Sequence, residues 1–238
     1  MRKYIYFDVL PSTNDYIKEN YQNLSNLDIV IAKHQTKGKG RLSRTWEDNS
    51  NSILLSMLIK PKKDLSVSLI PLVASAVVYK FLKEYLDNVK IKWPNDILVN
   101  GKKIAGILVE AKYLEKFEYL VVGIGININD EDFNKNLKEK AISLYEVIRK
   151  KENILEMYEK FSNMLRSEYK LFLKNKSDFL TVNRINSAII GEEVYLEIEG
   201  NKEKVKVLDI TDDGAILVNY NNQNKTFTSG EVTLNKNY

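Results

Sequence analysis

Cysteine is absent from this 238-residue chain, and histidine occurs once, at His34. The first absence excludes disulfides, thiolate nucleophiles, thiolate zinc sites and Cys-ligated iron–sulfur clusters. The second leaves a Ser-His-Asp triad a single histidine to use, and no nucleophile-elbow motif accompanies it. His34 reads as structural or as a residue that only lines a site. No apolar run reaches the roughly 18 residues that a membrane-spanning helix needs. The N-terminal MRKYIYFDVLPSTND has a short apolar patch with Asp8 inside it, unlike a signal peptide. The expectation is a cytoplasmic protein with no membrane partner. Charge of one sign is also scarce: 36 Lys+Arg stand against 32 Asp+Glu, a net +4. That balance does not by itself call for nucleic acid, which needs a clustered basic face.

What is present suffices for a real core. The 44% hydrophobic content supplies it, and the 29% charged content gives a solvated surface. The length fits one large domain, or one domain with a small appendage. Residues 3–9 alternate as a strand, and Ser12 with Asp15 three residues on marks a helix start. Residues 28–33 and 52–60 read as buried strands around a polar, glycine-bearing loop at 36–51. Helical spacing over 66–86 places Leu69, Leu72, Val73, Ala76, Val77 and Phe81 together, with Pro71 in the first turn. Strands follow at 89–93, 96–99, 103–112 and 118–129, with a hairpin turn at Asn100-Gly101. A second amphipathic helix spans 151–174, with Ile154, Leu155, Tyr158, Phe161, Leu165, Tyr169 and Phe172 on one face. Short β-rich runs at 193–199, 203–210, 214–219, 225–229 and 231–235 predict a small β-barrel. The boundary falls near residue 184.

Two segments carry most of the chemistry. In Gly38-Lys39-Gly40-Arg41-Leu42-Ser43-Arg44-Thr45-Trp46, the glycines let backbone N–H groups converge on an anion beside three cations. The same loop is equally readable as a solvated basic loop, and Trp46 as core or as a surface that stacks on a base. It is neither a P-loop nor a Rossmann fingerprint. In Lys92-Trp93-Pro94-Asn95-Asp96, the proline is expected to aim Asn95 and Asp96 off the strand ladder. Asp96 then either meets Mg²⁺ or caps a turn. Lys103 enters an apolar strand, so it has an anionic partner or guards an edge. Ser12-Thr13-Asn14 is accounted for by helix capping. Gly123, Gly125, Asn127 and Asn129 share one face of a strand, which suits a closely approaching ligand or tight packing.

Taken in order, these segments resemble the biotin protein ligase family. Ser12-Thr13-Asn14, Gln35, the loop ending in Trp46, Lys-Trp-Pro-Asn-Asp, Lys103 to Glu110 (KIAGILVE) and the Gly-Asn strand all follow its pattern. Asp213 to Val218 and Ser229 to Val232 are similar to its small SH3-like barrel. The resemblance implies an α+β fold: a mixed sheet flanked by helices, related to class II aminoacyl-tRNA synthetases, with a C-terminal SH3-like β-barrel. It divides the chain into a catalytic domain at 1–184 and a barrel at 185–238.

The reaction implied has two steps. Biotin, a substrate, attacks the α-phosphate of MgATP to give biotinyl-5′-AMP, and a lysine of a biotin carboxyl carrier protein then takes the biotinyl group. Carried over residue by residue, Ser12, Thr13, Asn14, Gln35, Lys39, Gly40, Arg41, Lys103 and Gly106 look like the biotin side. Arg41, Arg44, Trp46, Lys92, Asn95 and Asn127 look like the nucleotide side. Arg41 and Lys103 look catalytic, and Asp96 is the candidate contact for Mg. Lys39 stands where the family usually has arginine, which keeps the charge but loses the bidentate fork. Ser43 stands where glycine is common. Eleven residues precede Ser12, leaving no room for the DNA-binding domain of some members, so no nucleic-acid partner and no repressor role are expected. The resemblance leaves room for a homodimer. The alternatives are a lipoate-type ligase on the same scaffold and a non-catalytic binding module.

Overall fold

A computed structural model describes residues 4–48, 50–61, 65–131, 133–134, 137–198 and 200–234. Lys3, Asn49, Glu199 and Asn235, which belong to expected strands or to the expected loop, lie outside the described residues.

An alternating run makes β1 (Tyr4–Leu10) and a continuous buried run opens β2 (Ile29–Gln35); the two pair in parallel across α1 (Thr13–Asn20). Parallel neighbours need such a crossover. The rest of the main sheet is antiparallel: β3 (Ile53–Ile59), β4 (Val89–Lys92), β5 (Asp96–Val99), β6 (Lys102–Tyr113) and β7 (Phe117–Ile126). The strand order is β1-β2-β3-β7-β6-β5-β4, a mixed sheet. The Asn100-Gly101 turn between β5 and β6 holds both residues at positive φ, 52° and 73°. This twist matches that of the strands it joins.

The period-2 pattern decides which face is core and which is site. On β7, Leu120, Val122, Ile124 and Ile126 join the main core. Gly123 and Gly125 point the other way, toward α1 and the long loop. On β3, Ile53, Leu55, Met57 and Ile59 face the main core, which leaves Ser56 on the α1 face.

Helix α2 (Ile70–Lys83) departs from the one-faced expectation: it is buried almost all round. Ile70, Ala74, Val77, Val78, Phe81 and Leu82 enter the main core, while Leu72, Val73 and Ala76 enter a second core. The cause is its place between two layers. The second layer is a five-stranded antiparallel sheet, β8 (Glu193–Ile198), β9 (Asn201–Ile210), β10 (Ile216–Tyr220), β11 (Gln223–Phe227) and β12 (Val232–Leu234), ordered β11-β10-β9-β8-β12. This separate sheet is consistent with an SH3-like domain. Trp93, buried in the second core, donates its indole N–H to Gly214 O at 3.0 Å and so ties the layers together.

Two short helices have no counterpart in the sequence reading: α3 (Leu144–Ile148) and α5 (Phe179–Ile185). The first has a legible signal, the Ser143-x-x-Glu146 capping box, with reciprocal bonds of 3.1 and 3.0 Å. In α4 (Ile154–Phe172), Leu155 is 61% exposed rather than buried, and Met157 takes the inner position. No described helix is long and apolar enough to cross a membrane.

Tyr158 of α4 fixes the strands that carry the site. Its hydroxyl accepts from Leu54 N–H at 3.1 Å and lies 2.9 Å from Ser52 O and 3.1 Å from Ala32 O. Burial raises its pKa above the ordinary tyrosine value. Tyr158→Phe would leave buried backbone groups unpaired, so a loss of about 1–3 kcal/mol is expected. Urea titration checks it: the midpoint should fall with an unchanged slope.

Candidate active site

A cleft of roughly 470 Å³, its open mouth included, lies on the glycine face of the sheet. Its floor is the cross-strand pair Gly106↔Gly125 with Leu108↔Gly123 beside it. A side chain at Gly125 would meet the Trp46 ring at 2.5 Å, and one at Gly123 would meet Asn14 Oδ1 at 2.2 Å. The glycines therefore allow α1 and the loop to lie directly on the strands.

One end of the cleft is a row of polar side chains. Ser12 caps α1, its Oγ accepting from Asp15 N–H at 3.4 Å. Thr13 N–H donates to Gln35 Oε1 at 2.7 Å. Asn14 Nδ2 donates to Glu110 Oε2 at 2.7 Å, and Lys18 meets the other Glu110 oxygen at 2.9 Å.

The basic loop closes the cleft as a tight turn. Gly40 N–H donates to Arg44 O at 2.7 Å and Trp46 N–H to Gly38 O at 3.0 Å. This corrects the expectation of converging free N–H groups: the Gly40 donor is used within the loop. Gly38 is required because a Cβ there would sit 2.3 Å from Trp46 O. Leu42 and Ser43 both adopt positive φ, 53° and 59°. The position of Ser43 is thus one where glycine costs less.

Lys39, Arg41 and Arg44 each have a partner. Lys39 meets Asp15 at 2.7 Å. Arg41 donates to Asn95 Oδ1 at 2.9 Å and to Gly230 O at 3.1 Å. Arg44 pairs with Glu231. The connection between β11 and β12 thereby holds the loop through residues 230 and 231. At the other end Asp48, fully buried at its side chain, accepts from Gln35 N–H at 3.1 Å and Ser50 N–H at 3.0 Å and meets His34 Nδ1 at 2.9 Å.

Opposite the polar row stands Lys103, 2.7 Å from Asp96 and 5.4 Å from the centre of the Trp46 ring. Lys92 approaches the second Asp96 oxygen at 3.7 Å. Burial pushes the Lys92 ammonium below the ordinary lysine value, with Asp96 opposing and Lys103 adding to the shift. Contrary to expectation, Asp96 stays on the ladder as the first residue of β5, paired with Lys92 and Gly106; only Asn95 lies in the turn. The reason is that the chain turns at residues 93–95 and re-enters the sheet at once.

The cleft brings together Ser12, Thr13, Asn14, Gln35, Lys39, Gly40, Arg41, Trp46, Asn95, Lys103 and Gly106. Arg44, Lys92, Asp96 and Asn127 do not line it. Arg44 faces Glu231, Lys92 and Asp96 stand behind Lys103, and Asn127 is buried with its amide on Ile142 O at 3.1 Å. Sequence reasoning assigns no role to Glu110 or Ser56. The signal for Ser56 is a lone hydroxyl inside the apolar run ILLSMLI. Among the described residues no group of three or more His, Asp or Glu could hold a metal. An adjoining hollow of roughly 620 Å³, its open mouth included, shares Arg41, Asn95 and Ile107 and reaches Gly214, Thr228 and Ser229 in connections between strands of the second sheet.

Asp15 links α1 to the loop through Lys18 and Lys39. Burial acts to raise its pKa, but hydrogen bonds from the two ammonium groups outweigh it and leave the carboxyl below its ordinary value of 3.8. A depressed folded value stabilises the protein above the unfolded value, and that stability is lost as pH falls through the folded one. The gap in thermal midpoint between wild type and Asp15→Asn should therefore be full at pH 6 and close below about pH 3.8. A gap independent of pH would show that the carboxylate charge plays no part.

The profile of the Biotin/lipoate A/B protein ligase family matches residues 6–127, and that of the Biotin protein ligase C terminal domain matches residues 189–234. The Bifunctional ligase/repressor BirA of Bacillus subtilis is 31% identical over 97% of this chain and 73% of its own length. The chain belongs to the biotin protein ligase family. The structure of the Aquifex aeolicus biotin protein ligase, in complex with biotin and ATP, superposes with a TM-score of 0.87 at 31% identity, covering 98% of both chains. The Biotin--[acetyl-CoA-carboxylase] ligase of Mycobacterium tuberculosis is 25% identical over 86% of this chain and 77% of its own. The mixed sheet with flanking helices is the family's fold, and its activity class, biotin ligation, is this chain's.

Proposed function

We propose that the protein joins biotin and MgATP into biotinyl-5′-AMP with release of pyrophosphate, and then passes the biotinyl group to a lysine of a biotin carboxyl carrier protein. The observation that carries this reading is the two-ended cleft. Polar groups of Thr13 and Gln35 stand at one end, and cations that can meet two anions stand at the other. Biotin is placed with its ring toward Ser12, Thr13, Asn14 and Gln35 and its carboxylate toward Lys103 and Arg41. The nucleotide is placed over Arg41, Trp46 and Asn95 and into the adjoining hollow, with Arg44, Lys92 and Asn127 further out.

In the first step the carboxylate oxygen of biotin must attack the phosphorus of an anionic phosphate, with pyrophosphate leaving. Alignment and charge neutralisation serve this better than a general base. Lys103 and Arg41 supply the charge. Asp96 holds Lys103 until the substrates draw it away. Asp96 would be the residue to meet the Mg²⁺ of MgATP, which would supply further positive charge at the phosphates. The second step needs a neutral acceptor amine, so transfer should quicken as pH rises. The loop, latched by Gly230 and Glu231, shields the anhydride from water. Residues 1–184 carry the chemistry in this reading, and 185–238 hold the loop. For a homodimer through the main sheet, we propose the outer edge of β1, an end strand of that sheet.

The test is pyrophosphate release from ATP with biotin, with lipoate and with neither, followed by mass analysis of a carrier protein. Biotin-dependent release and one added biotinyl group on a lysine support the proposal. Release with lipoate alone changes the substrate. No release from folded protein leaves a binding module.

A further inference from the structure

Ser56 is fully buried in the middle of β3 and does not reach the cleft. Its Oγ lies 2.5 Å from Asn14 Oδ1 and 2.7 Å from Thr13 Oγ1, and Thr13 Oγ1 lies 3.1 Å from Gln35 Oε1. Both ends of this row are acceptors by necessity. Glu110 accepts one Asn14 amide hydrogen at 2.7 Å, which leaves Asn14 Oδ1 turned toward Ser56. Lys18, 2.9 Å from the other Glu110 oxygen, keeps that carboxylate paired. Gln35 must present oxygen to Thr13 because it accepts the Thr13 backbone N–H at 2.7 Å. Neither amide can be turned over without setting acceptor against acceptor or donor against donor.

Three oxygen–oxygen contacts are therefore served by two hydroxyl protons. The Ser56 proton goes to Asn14 across the shortest contact. The Thr13 proton then goes to Ser56, because two hydroxyl oxygens 2.7 Å apart repel without a proton between them. The longer contact to Gln35 is the one left without a proton. Thr13 Oγ1 and Gln35 Oε1 thus stand side by side in the cleft wall, both with lone pairs available.

We propose that Ser56 is a positioning residue: it fixes the direction of the Thr13 hydroxyl and makes this wall of the cleft selective for a ligand that presents N–H donors. The cyclic urea of biotin is such a ligand, so the inference rests on the ligase reading and deepens it. A ring bearing only acceptors there would leave buried lone pairs facing one another. When the Ser56 hydroxyl is removed, Thr13 turns its proton to Gln35. One acceptor is then satisfied internally, and Asn14 loses its donor.

Two measurements test this. Neutron diffraction from deuterated wild-type protein reads the hydroxyl directly. The Thr13 deuteron is expected on the line to Ser56; a deuteron pointing at Gln35 overturns the inference whatever the substrate is. Calorimetry then compares wild type, Ser56→Ala and Ser56→Cys with biotin and with biotin methylated on its ureido nitrogens. Both variants are expected to bind biotin about tenfold more weakly, the scale of one hydrogen bond. The methylated analogue should bind all three proteins within about twofold, because it has no N–H to lose. Alanine nearly keeps the volume of serine and cysteine is larger, so a loss in Ser56→Cys alone would mark a packing effect and overturn the proposal. An equal loss for both ligands would do the same. Wild type that ignores biotin, yet shows the deuteron toward Ser56, would overturn the ligase reading and leave the hydroxyl direction standing.

Discussion

Lys103→Ala is expected to lower biotin-dependent pyrophosphate release by about 10²–10³, the usual cost of removing one group aimed at charge developing in a transition state. The geometry makes this lysine hard to replace. Its backbone is held on both sides, N–H to Lys140 O at 2.8 Å and O from Ile142 N–H at 3.0 Å. The ammonium is then aimed along the strand by Asp96 at 2.7 Å and by the Trp46 ring beneath it. Arg41 comes from a loop on the other side and is itself held by Asn95 and Gly230, so it cannot move over to compensate. Lys103→Arg should recover part of the rate, since charge is kept and only the reach changes. Single-turnover kinetics separates this from a folding defect: kcat should fall while the thermal midpoint stays close to wild type. Release unchanged in Lys103→Ala would remove the lysine from the chemistry.

Gly123→Ala should nearly abolish biotin binding, by a factor of about 10² or more, through a misplaced side chain of the kind that costs so much in a preorganised site. The added Cβ would sit 2.2 Å from Asn14 Oδ1 and 2.9 Å from Asn14 Cγ. Asn14 is not a free side chain that can swing away. Glu110 holds its nitrogen at 2.7 Å and Ser56 its oxygen at 2.5 Å. Displacing it breaks the polar row that continues through Thr13 to Gln35. Overpacking of this kind also costs about 1–3 kcal/mol of stability. Calorimetric titration with biotin, beside a melting curve, reads both effects. A variant that melts earlier but binds biotin normally would show that the Asn14 row serves the fold alone.

Much of this protein is legible in its amino-acid sequence. Alternating runs locate strands with one buried face, and short continuous apolar runs locate the central strands buried on both. Asn100-Gly101 locates a hairpin because two successive left-handed residues favour that pair. The glycines of β7, and Lys103 where β6 turns apolar, stand out because each is costly in a strand without a reason. Motif order along the chain indicates the family. Less is legible where a residue's role depends on what lies opposite. Helix α2 reads as one-faced because nothing in its spacing announces a second sheet on its other side. Leu155 reads as buried because a helical stripe does not reveal where the neighbouring layer ends.

By itself, then, the sequence determined the elements, the cations and glycines available to a site, and the family. Those follow from local periodicity, backbone preference and composition, which are properties of neighbours in the chain. Tertiary structure alone decided that Arg41 and Arg44 are tied to residues 230 and 231, that Asp96 stays on its ladder against two lysines, and that Ser56 joins Thr13 to Asn14. These contacts link distant parts of the chain, and hydrogen bonds and ion pairs depend on distance and direction in space, which sequence spacing does not carry.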